Sequence, residues 1–113
     1  MKDKSWSPLD IAKWHEKTFP DTTLEGQKAK LEEEKKEWLE SHEIDELADI
    51  YIVACGLLRW PAPDAKWAFW YIEEAMLDNA IFASALLKSV DNKMEINYNR
   101  KWKATKDGAY HHV

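Results

Sequence analysis

The sequence has little of what disulfide-bonded, β-rich or nucleic-acid-binding domains require. Its single cysteine, Cys55, excludes an internal disulfide and a thiolate zinc cluster. Three glycines and four prolines, with no Asn-Gly or Gly-Gly pair, give little support for hairpins or strands. The 16 basic residues are outnumbered by 21 acidic ones, and the resulting net charge of −5 argues against a nucleic-acid partner.

Long apolar runs are also missing. Residues 1–10 are charged and do not resemble a signal peptide. The most apolar stretch, residues 47–60, contains Asp49 and Arg59 and is too short to cross a bilayer. We therefore expect no membrane partner and a cytoplasmic location, and we expect residues 1–113 to form one domain.

The helix-capping and helix-breaking residues along the chain predict an all-α fold, a bundle of four to five helices. Ser7 is the predicted N-cap of the first helix, which should bury Leu9, Ile11 or Ala12, and Trp14. The predicted helices run from Pro8 to about Thr18, from a cap at Thr22 or Thr23 to about Glu40, from about Glu43 to Trp60, and from Asp64 to about Trp102 with a break near Leu77-Asp78.

Apolar side chains exceed what one small core needs. The third helix is apolar all round after Asp49, so it must be covered on more than one side. Residues 67–87 carry a second large apolar surface, rich in aromatic side chains. We expect the protein to be oligomeric, as a homodimer or homotetramer.

Acidic residues in the second helix occupy an unusual place. Glu33, Glu34 and Glu37 fall within roughly a 100° arc of the helix. Glu34 also lies between Leu31 and Trp38 on the stripe that should face the core, where a carboxylate is costly unless it is paired or metal-bound.

The third helix adds two more carboxylates, Glu46 and Asp49, one turn apart. Only eight residues separate Glu37 from Glu46, so we expect the two helices to form an antiparallel hairpin. That hairpin would bring four carboxylates close together, Glu34 and Glu37 on one helix and Glu46 and Asp49 on the other. A hard divalent cation, Mg²⁺ or Mn²⁺, would relieve their repulsion. The alternative is a solvated Glu/Lys-rich helix face that binds nothing.

A basic set stands near the end of the last helix. Lys93, Asn97 and Arg100 are spaced to share one helix face, and Lys101 follows. Arginine and lysine in such an arrangement suit a polyphosphate. The alternative is a cation-rich helix terminus that only complements the helix dipole.

Both sets together resemble a known family. Residues 30–37, KLEEEKKE, followed by ELAD at 46–49, are similar to the EExxE…ExxD signature of MazG-like nucleoside triphosphate pyrophosphohydrolases. The basic set at 93–102 resembles the motif that these proteins carry near the end of the fold, and residues 107–113 resemble the ends of small members. The chain departs from many members at Lys35 and Lys36, which suggests a more exposed face there.

The resemblance implies an all-α NTP pyrophosphatase fold, assembled as dimers or dimers of dimers. It implies Mg²⁺-dependent cleavage of a (d)NTP between the α and β phosphates, giving monophosphate and pyrophosphate, in the house-cleaning of nucleotide pools. The residue roles that it implies are Glu34, Glu37, Glu46 and Asp49 as metal ligands, Glu33 and Glu34 as catalytic carboxylates, and Lys93, Asn97, Arg100 and Lys101 as phosphate-binding groups.

Three residues near the N-terminus, Trp6, Trp14 and His15, are candidates for contact with a base. For His15 a partly exposed surface position is the favoured interpretation, and for Trp14 core packing. Two other functions stay open: a related pyrophosphatase acting on another phosphorylated substrate, such as phosphoribosyl-ATP, and a non-enzymatic helical interaction module.

Overall fold

Five helices and a short pair of strands make up the part of the chain that the structure, a computed structural model, describes: residues 5–100, 102–104 and 110–112. The predicted all-α class and helix number are confirmed. The elements are α1 (Pro8–Thr18), α2 (Leu24–Ser41), α3 (Ile44–Leu57), α4 (Asp64–Asp78), α5 (Ala83–Asn99), β1 (Trp102–Ala104) and β2 (Tyr110–His112).

The first two helices begin where their caps were predicted. The Ser7 hydroxyl accepts from the backbone N–H of Asp10 at 3.1 Å, and the Asp10 carboxylate accepts from the backbone N–H of Ser7 at 3.1 Å. The Thr23 hydroxyl likewise accepts from the backbone N–H of Gly26 at 3.0 Å. A left-handed residue, His42 with φ 56°, ends α2 and leads directly into α3.

The third and the last predicted helices both end earlier in the structure than the sequence predicted. α3 ends at Leu57 rather than Trp60, because prolines at 61 and 63 restrict the residues before them. The last predicted helix is two helices: the break expected near Leu77-Asp78 falls at residues 79–82, where Ala80 has φ 52°. α5 then ends at Asn99, since Arg100 is extended with ψ 153°.

A short pair of strands, for which the sequence offered little support, follows the helices. β1 and β2 pair antiparallel, with Trp102 opposite His112 and Ala104 opposite Tyr110. Three residues per strand are too few for an alternating apolar pattern, which explains why the sequence gave no signal. Residues 105–109 lie outside the described part of the chain.

α3 is the centre of the fold. It packs against α1, α2, α4 and α5, so its apolar surface is covered on several sides, as predicted. Leu47, Ile50 and Ala54 have no exposed surface. Cys55 is equally buried, and burial raises the pKa of its thiol to about 12, which makes it a packing residue, as expected, rather than a nucleophile.

α1 turns a narrower face to the core than predicted. Ile11 and Ala12 are buried and Trp14 is half-buried against the core, but Leu9 is 60% exposed, so its predicted burial is wrong. Leu9 lies about 200° around the helix from Ile11, which points it away from α3.

Among the described residues no helix is long and apolar enough to cross a membrane.

Gly56 lets α1 and α2 approach α3 closely, because a Cβ there would lie 2.5 Å from Gln27 Nε2 and 3.1 Å from His15 Cδ2. Gln27 is buried and donates to the Val53 carbonyl at 3.1 Å, so its amide is not free to swing away. We expect Gly56→Ala to lower the free energy of unfolding by about 1–3 kcal/mol, despite the better helix propensity of alanine. Chemical denaturation measures this loss.

The matching control is the same substitution in a Gln27→Ala background. The loss of unfolding free energy caused by Gly56→Ala should be smaller there, because the side-chain amide of Gln27, the group nearest to the added Cβ, is gone. A Gly56→Ala variant as stable as the unsubstituted protein would contradict this description of the packing.

Candidate functional site

One cavity of about 390 Å³ collects most of the residues singled out above. It lies between α1, α2, α3, α5 and β1, and its wall has an acidic, a basic and an aromatic part. The lining residues are Trp14, His15, Phe19, Gln27, Lys30, Glu34, Glu37, Glu46, Asp49, Ile52, Val53, Lys93, Ile96, Asn97, Arg100 and Trp102.

The acidic part is a trio of carboxylates, Glu34 from α2 with Glu46 and Asp49 from α3. One oxygen from each lies within 4.8 Å of the others. Residue 27 contacts residue 53, and residue 34 lies beside residue 46, so α2 and α3 run antiparallel. The predicted hairpin therefore brings these three carboxylates together.

Two oxygens of this trio are buried and unsatisfied. Glu34 is 7% exposed, and its Oε1 has no hydrogen-bond partner among the described residues; the same holds for Oε1 of Glu46. A buried carboxylate oxygen without a partner is costly, and native structures rarely keep one without a missing ligand, ion or water. The trio is therefore a candidate cation site.

Two lysines contact the trio, one from α2 and one from α5. Lys30 on α2 lies 3.5 Å from Oε2 of Glu34 and 3.5 Å from Oε1 of Glu33. Lys93 on α5 donates to Oδ2 of Asp49 at 3.1 Å. Two ammonium groups leave the trio with a net charge of −1 when all three carboxylates are ionised.

The pKa values of the trio all move upward. Burial, followed by the charge of Asp49, raises the pKa of Glu34 to about 7. Burial and the same neighbour raise the pKa of Glu46. Burial also raises the pKa of Asp49, although the ammonium of Lys93 opposes this change. The surroundings of the trio therefore disfavour the charged form of all three carboxylates.

Two more predicted acidic residues, Glu37 and Glu33, are not members of the trio, and only Glu37 lies close to it. Glu37 is exposed and lines the cavity, where its charge adds to the repulsion on Glu34 and Glu46. Glu33 is exposed and does not line the cavity. Its catalytic role stays a prediction.

The basic part of the wall contains Lys93, Asn97 and Arg100, as their spacing predicted. Arg100 stands at the end of α5, with its guanidinium 5.8 Å from the ring of Trp102. Asn97 accepts the indole N–H of Trp102 at 3.2 Å through its backbone carbonyl. Lys101, also predicted to bind phosphate, lies outside the described residues.

The aromatic part is built by Trp14, Phe19 and Trp102. The Phe19 ring lies 5.2 Å from Trp14 at 82° and 4.9 Å from Trp102 at 84°, both edge to face. The sequence did not indicate Trp102 for this wall, because it was placed at the end of a helix. Trp6, a predicted base contact, is buried elsewhere, beside Tyr98, and its backbone N–H donates to the Asp91 carboxylate at 2.9 Å.

His15 lines the cavity but is buried, at 6% exposure, so the expectation of a surface position is wrong. Arg59 donates to its Nδ1 at 2.9 Å and to the Phe19 carbonyl at 2.9 Å, while Gln27 forms a further side-chain hydrogen bond with the ring. Burial and the charge of Arg59 lower the pKa of His15 to about 3, so the ring is neutral. Its polar atoms hold α1 in place.

Gln27, Lys30 and Arg59 were not assigned to a site by sequence reasoning. Gln27 offered a signal, since it shares the buried stripe of α2 with Glu34, and a buried amide needs partners. Lys30 lies one turn before Glu34, the spacing of an ordinary helix ion pair. Arg59 lies in the segment after α3, and no local pattern connects it to His15.

No protein-family model matches the chain, and neither does any curated protein or solved structure.

In metal-free buffer we expect Glu34→Gln to become more stable than the unsubstituted protein as the pH rises. Between about pH 4.5 and 7 the unfolded chain loses the Glu34 proton while the fold retains it, so the stability of the unsubstituted protein falls across this interval. Above pH 7 the charged group carries its full cost, up to about 3 kcal/mol, which glutamine avoids. Urea denaturation with chelator at pH 4, 6 and 8 measures the difference.

Glu33→Gln is the matched control, because it removes a neighbouring carboxylate that is exposed. The difference between this control and the unsubstituted protein should change little with pH. A Glu34→Gln difference that stays constant from pH 4 to 8 would contradict the described burial of Glu34.

Proposed function

We propose that the chain is a Mg²⁺-dependent nucleotide pyrophosphohydrolase that cleaves a (d)NTP to the monophosphate and pyrophosphate. The observation that carries this proposal is the meeting, in one cavity, of three convergent carboxylates with two unsatisfied buried oxygens and of a cationic helix end. Acidic groups that hold a metal beside basic groups that hold phosphate are the parts of a phosphoryl-transfer site. The sequence resemblance points to the same chemistry.

Glu34, Glu46 and Asp49 would hold the cation, with Glu37 close enough to the trio to contribute. These oxygens suit Mg²⁺ or Mn²⁺, which prefer carboxylate ligands. Such an ion, when bound, would neutralise phosphate oxygens and make the phosphorus easier for water to attack. Glu34, as a catalytic carboxylate, would hold the ion beside that water. The resemblance gives Glu33 the role of orienting the water; because Glu33 does not line the cavity, it would act through Lys30, which contacts both carboxylates.

Lys93, Asn97 and Arg100 would bind the phosphate chain. Arg100 offers a planar fork of N–H donors for two phosphate oxygens, and Lys93 offers a point charge. Both line the cavity, Lys93 from α5, where it contacts Asp49, and Arg100 from the residue that follows α5. A triphosphate in this cavity would contact these cationic groups and the metal held by the trio.

Trp14 and Trp102, supported by the buried ring of Phe19 between them, would receive the base. Aromatic rings stack on any base with little preference, and a 390 Å³ cavity falls within the range of small-molecule sites. His15 would add its ring face, since its nitrogens are already bonded. Nucleotide pools are cytoplasmic, so this function implies house-cleaning in that compartment.

The test of this function is a turnover screen over the eight common (d)NTPs with Mg²⁺, resolving monophosphate from diphosphate products. We expect monophosphate and pyrophosphate with at least one substrate. Glu34→Gln should lose turnover and also lose any rise in melting temperature on adding Mg²⁺, since a ligand stabilises only the fold that binds it. Arg100→Ala should raise KM, because a charge-assisted phosphate contact contributes about 1.5–3 kcal/mol.

Glu33→Gln is the control for the metal response, and it should keep the rise in melting temperature while its turnover reports the predicted catalytic role. Diphosphate products, or no turnover with any nucleotide, would contradict the proposal. Turnover of phosphoribosyl-ATP alone would favour the related pyrophosphatase. If Mg²⁺ does not raise the melting temperature and no substrate is turned over, the non-enzymatic helical interaction module is the function that remains.

We also propose that the chain self-associates. α3 is covered within the chain, but α4 exposes two tryptophans on one face, Trp67 at 56% and Trp70 at 55%. Leu77 and Phe82, at its end and just after it, are exposed as well. Monomeric proteins rarely leave so many large apolar side chains in water.

We expect light scattering at micromolar concentration to give at least twice the 13.3 kDa mass of one chain. The double variant Trp67→Asp, Trp70→Asp should shift the mass toward one chain, because charges replace the apolar contact. Lys88→Asp, an exposed change on α5, serves as the control. A mass of 13.3 kDa for the unsubstituted protein would refute self-association.

A further inference from the structure

Lys93 forms an ion pair with one carboxylate of the trio. Its ammonium donates to Oδ2 of Asp49 at 3.1 Å, and both side chains are about three-quarters buried. One turn earlier on each helix, the Ser89 hydroxyl donates to Oδ1 of Asp45 at 2.5 Å. The two contacts show that α3 and α5 run parallel and in register at this edge of the cavity.

The Lys93 contact can break without moving the helices, whereas the Ser89 contact joins them. Ser89 is buried, at 6% exposure, and does not line the cavity, so its contact with Asp45 joins the helices. Lys93 does line the cavity, and its side chain has four methylene groups that can turn into that space. α5 can therefore stay in place while the ammonium leaves Asp49.

The rest of the trio is prepared for a stronger cation. The unsatisfied Oε1 atoms of Glu34 and Glu46 face no donor among the described residues, and Glu34 is more than nine-tenths buried. A single ammonium at Asp49 cannot reach across to satisfy them as well. A divalent ion between the three carboxylates could contact all three, but it would repel an ammonium at Asp49.

We propose that Lys93 is a placeholder cation that a divalent metal displaces from Asp49 into the cavity, where its ammonium binds the phosphate chain. The inference rests on the proposed function, because it takes the trio as the metal site. Displacement lowers the affinity for the metal alone, since the ammonium loses its partner. Phosphate then supplies a new partner, so metal and phosphate favour each other's binding.

The test uses Lys93→Met, which keeps the length of the side chain and removes its charge. Binding of Mn²⁺ to nucleotide-free protein at pH 8 is followed by the electron paramagnetic resonance signal of the free ion. We expect the variant to bind Mn²⁺ about five- to tenfold more tightly than the unsubstituted protein, because the competing positive charge is gone. Binding of inorganic pyrophosphate in the presence of Mn²⁺ should weaken about tenfold or more.

Lys88→Met is the matched control: an exposed lysine on the same helix, outside the cavity, whose loss should change neither binding constant. Circular dichroism melting checks that each variant folds, and Lys93→Gln replaces Lys93→Met if the latter does not. Unchanged or weaker Mn²⁺ binding in the folded Lys93 variant would overturn the proposal and leave Lys93 a structural ion pair. Absence of Mn²⁺ binding to the unsubstituted protein at millimolar concentration would overturn it as well.

These outcomes are separable from the fate of the proposed function. Tighter Mn²⁺ binding and weaker pyrophosphate binding by the variant support the placeholder even if no (d)NTP is turned over. Turnover of a (d)NTP together with weaker Mn²⁺ binding by the variant keeps the function and removes the placeholder.

Discussion

The structure depends on the covering of α3. This helix is apolar around its whole circumference from residue 50 onward, so the hydrophobic effect favours a packed neighbour on every side. The other four helices supply those neighbours, and their positions around α3 follow from this need. The first two turns of α3 also carry Glu46 and Asp49, and beside them α1, α2, α5 and β1 enclose a cavity with α3. One helix thus creates both the core and the site.

Much of this arrangement could be predicted from local chemistry. Ser7 and Thr23 are strong caps because their side chains satisfy the free N–H groups of a first turn, and the helices begin at both places. Glu34 was identified because a carboxylate on an apolar stripe is unusual, and the structure buries it. The short connection at His42 made the antiparallel pairing of α2 and α3 predictable, and with it the meeting of Glu34, Glu46 and Asp49.

The remaining features depend on partners that are distant in the chain. His15 carries no local sign of burial, since Arg59 and Gln27 satisfy it from other elements. Trp102 reaches the cavity because α5 ends at Asn99 and the chain turns into a strand, which a helical pattern does not reveal. Lys93 could be assigned to phosphate from its spacing, but its contact with Asp49 required the register between α3 and α5.

The site and the core make opposite demands on the same helix pair. Packing α2 against α3 removes water from Glu34 and Asp49, and the loss of water is what raises their pKa values. Lys30 and Lys93 offset part of that cost, yet neither satisfies the buried Oε1 of Glu34 or of Glu46. A fold selected for stability alone would place apolar or amide side chains there, because a partly satisfied buried charge costs more than it contributes. A ligand that contacted those oxygens would offset this cost, since binding to the folded state alone raises its stability.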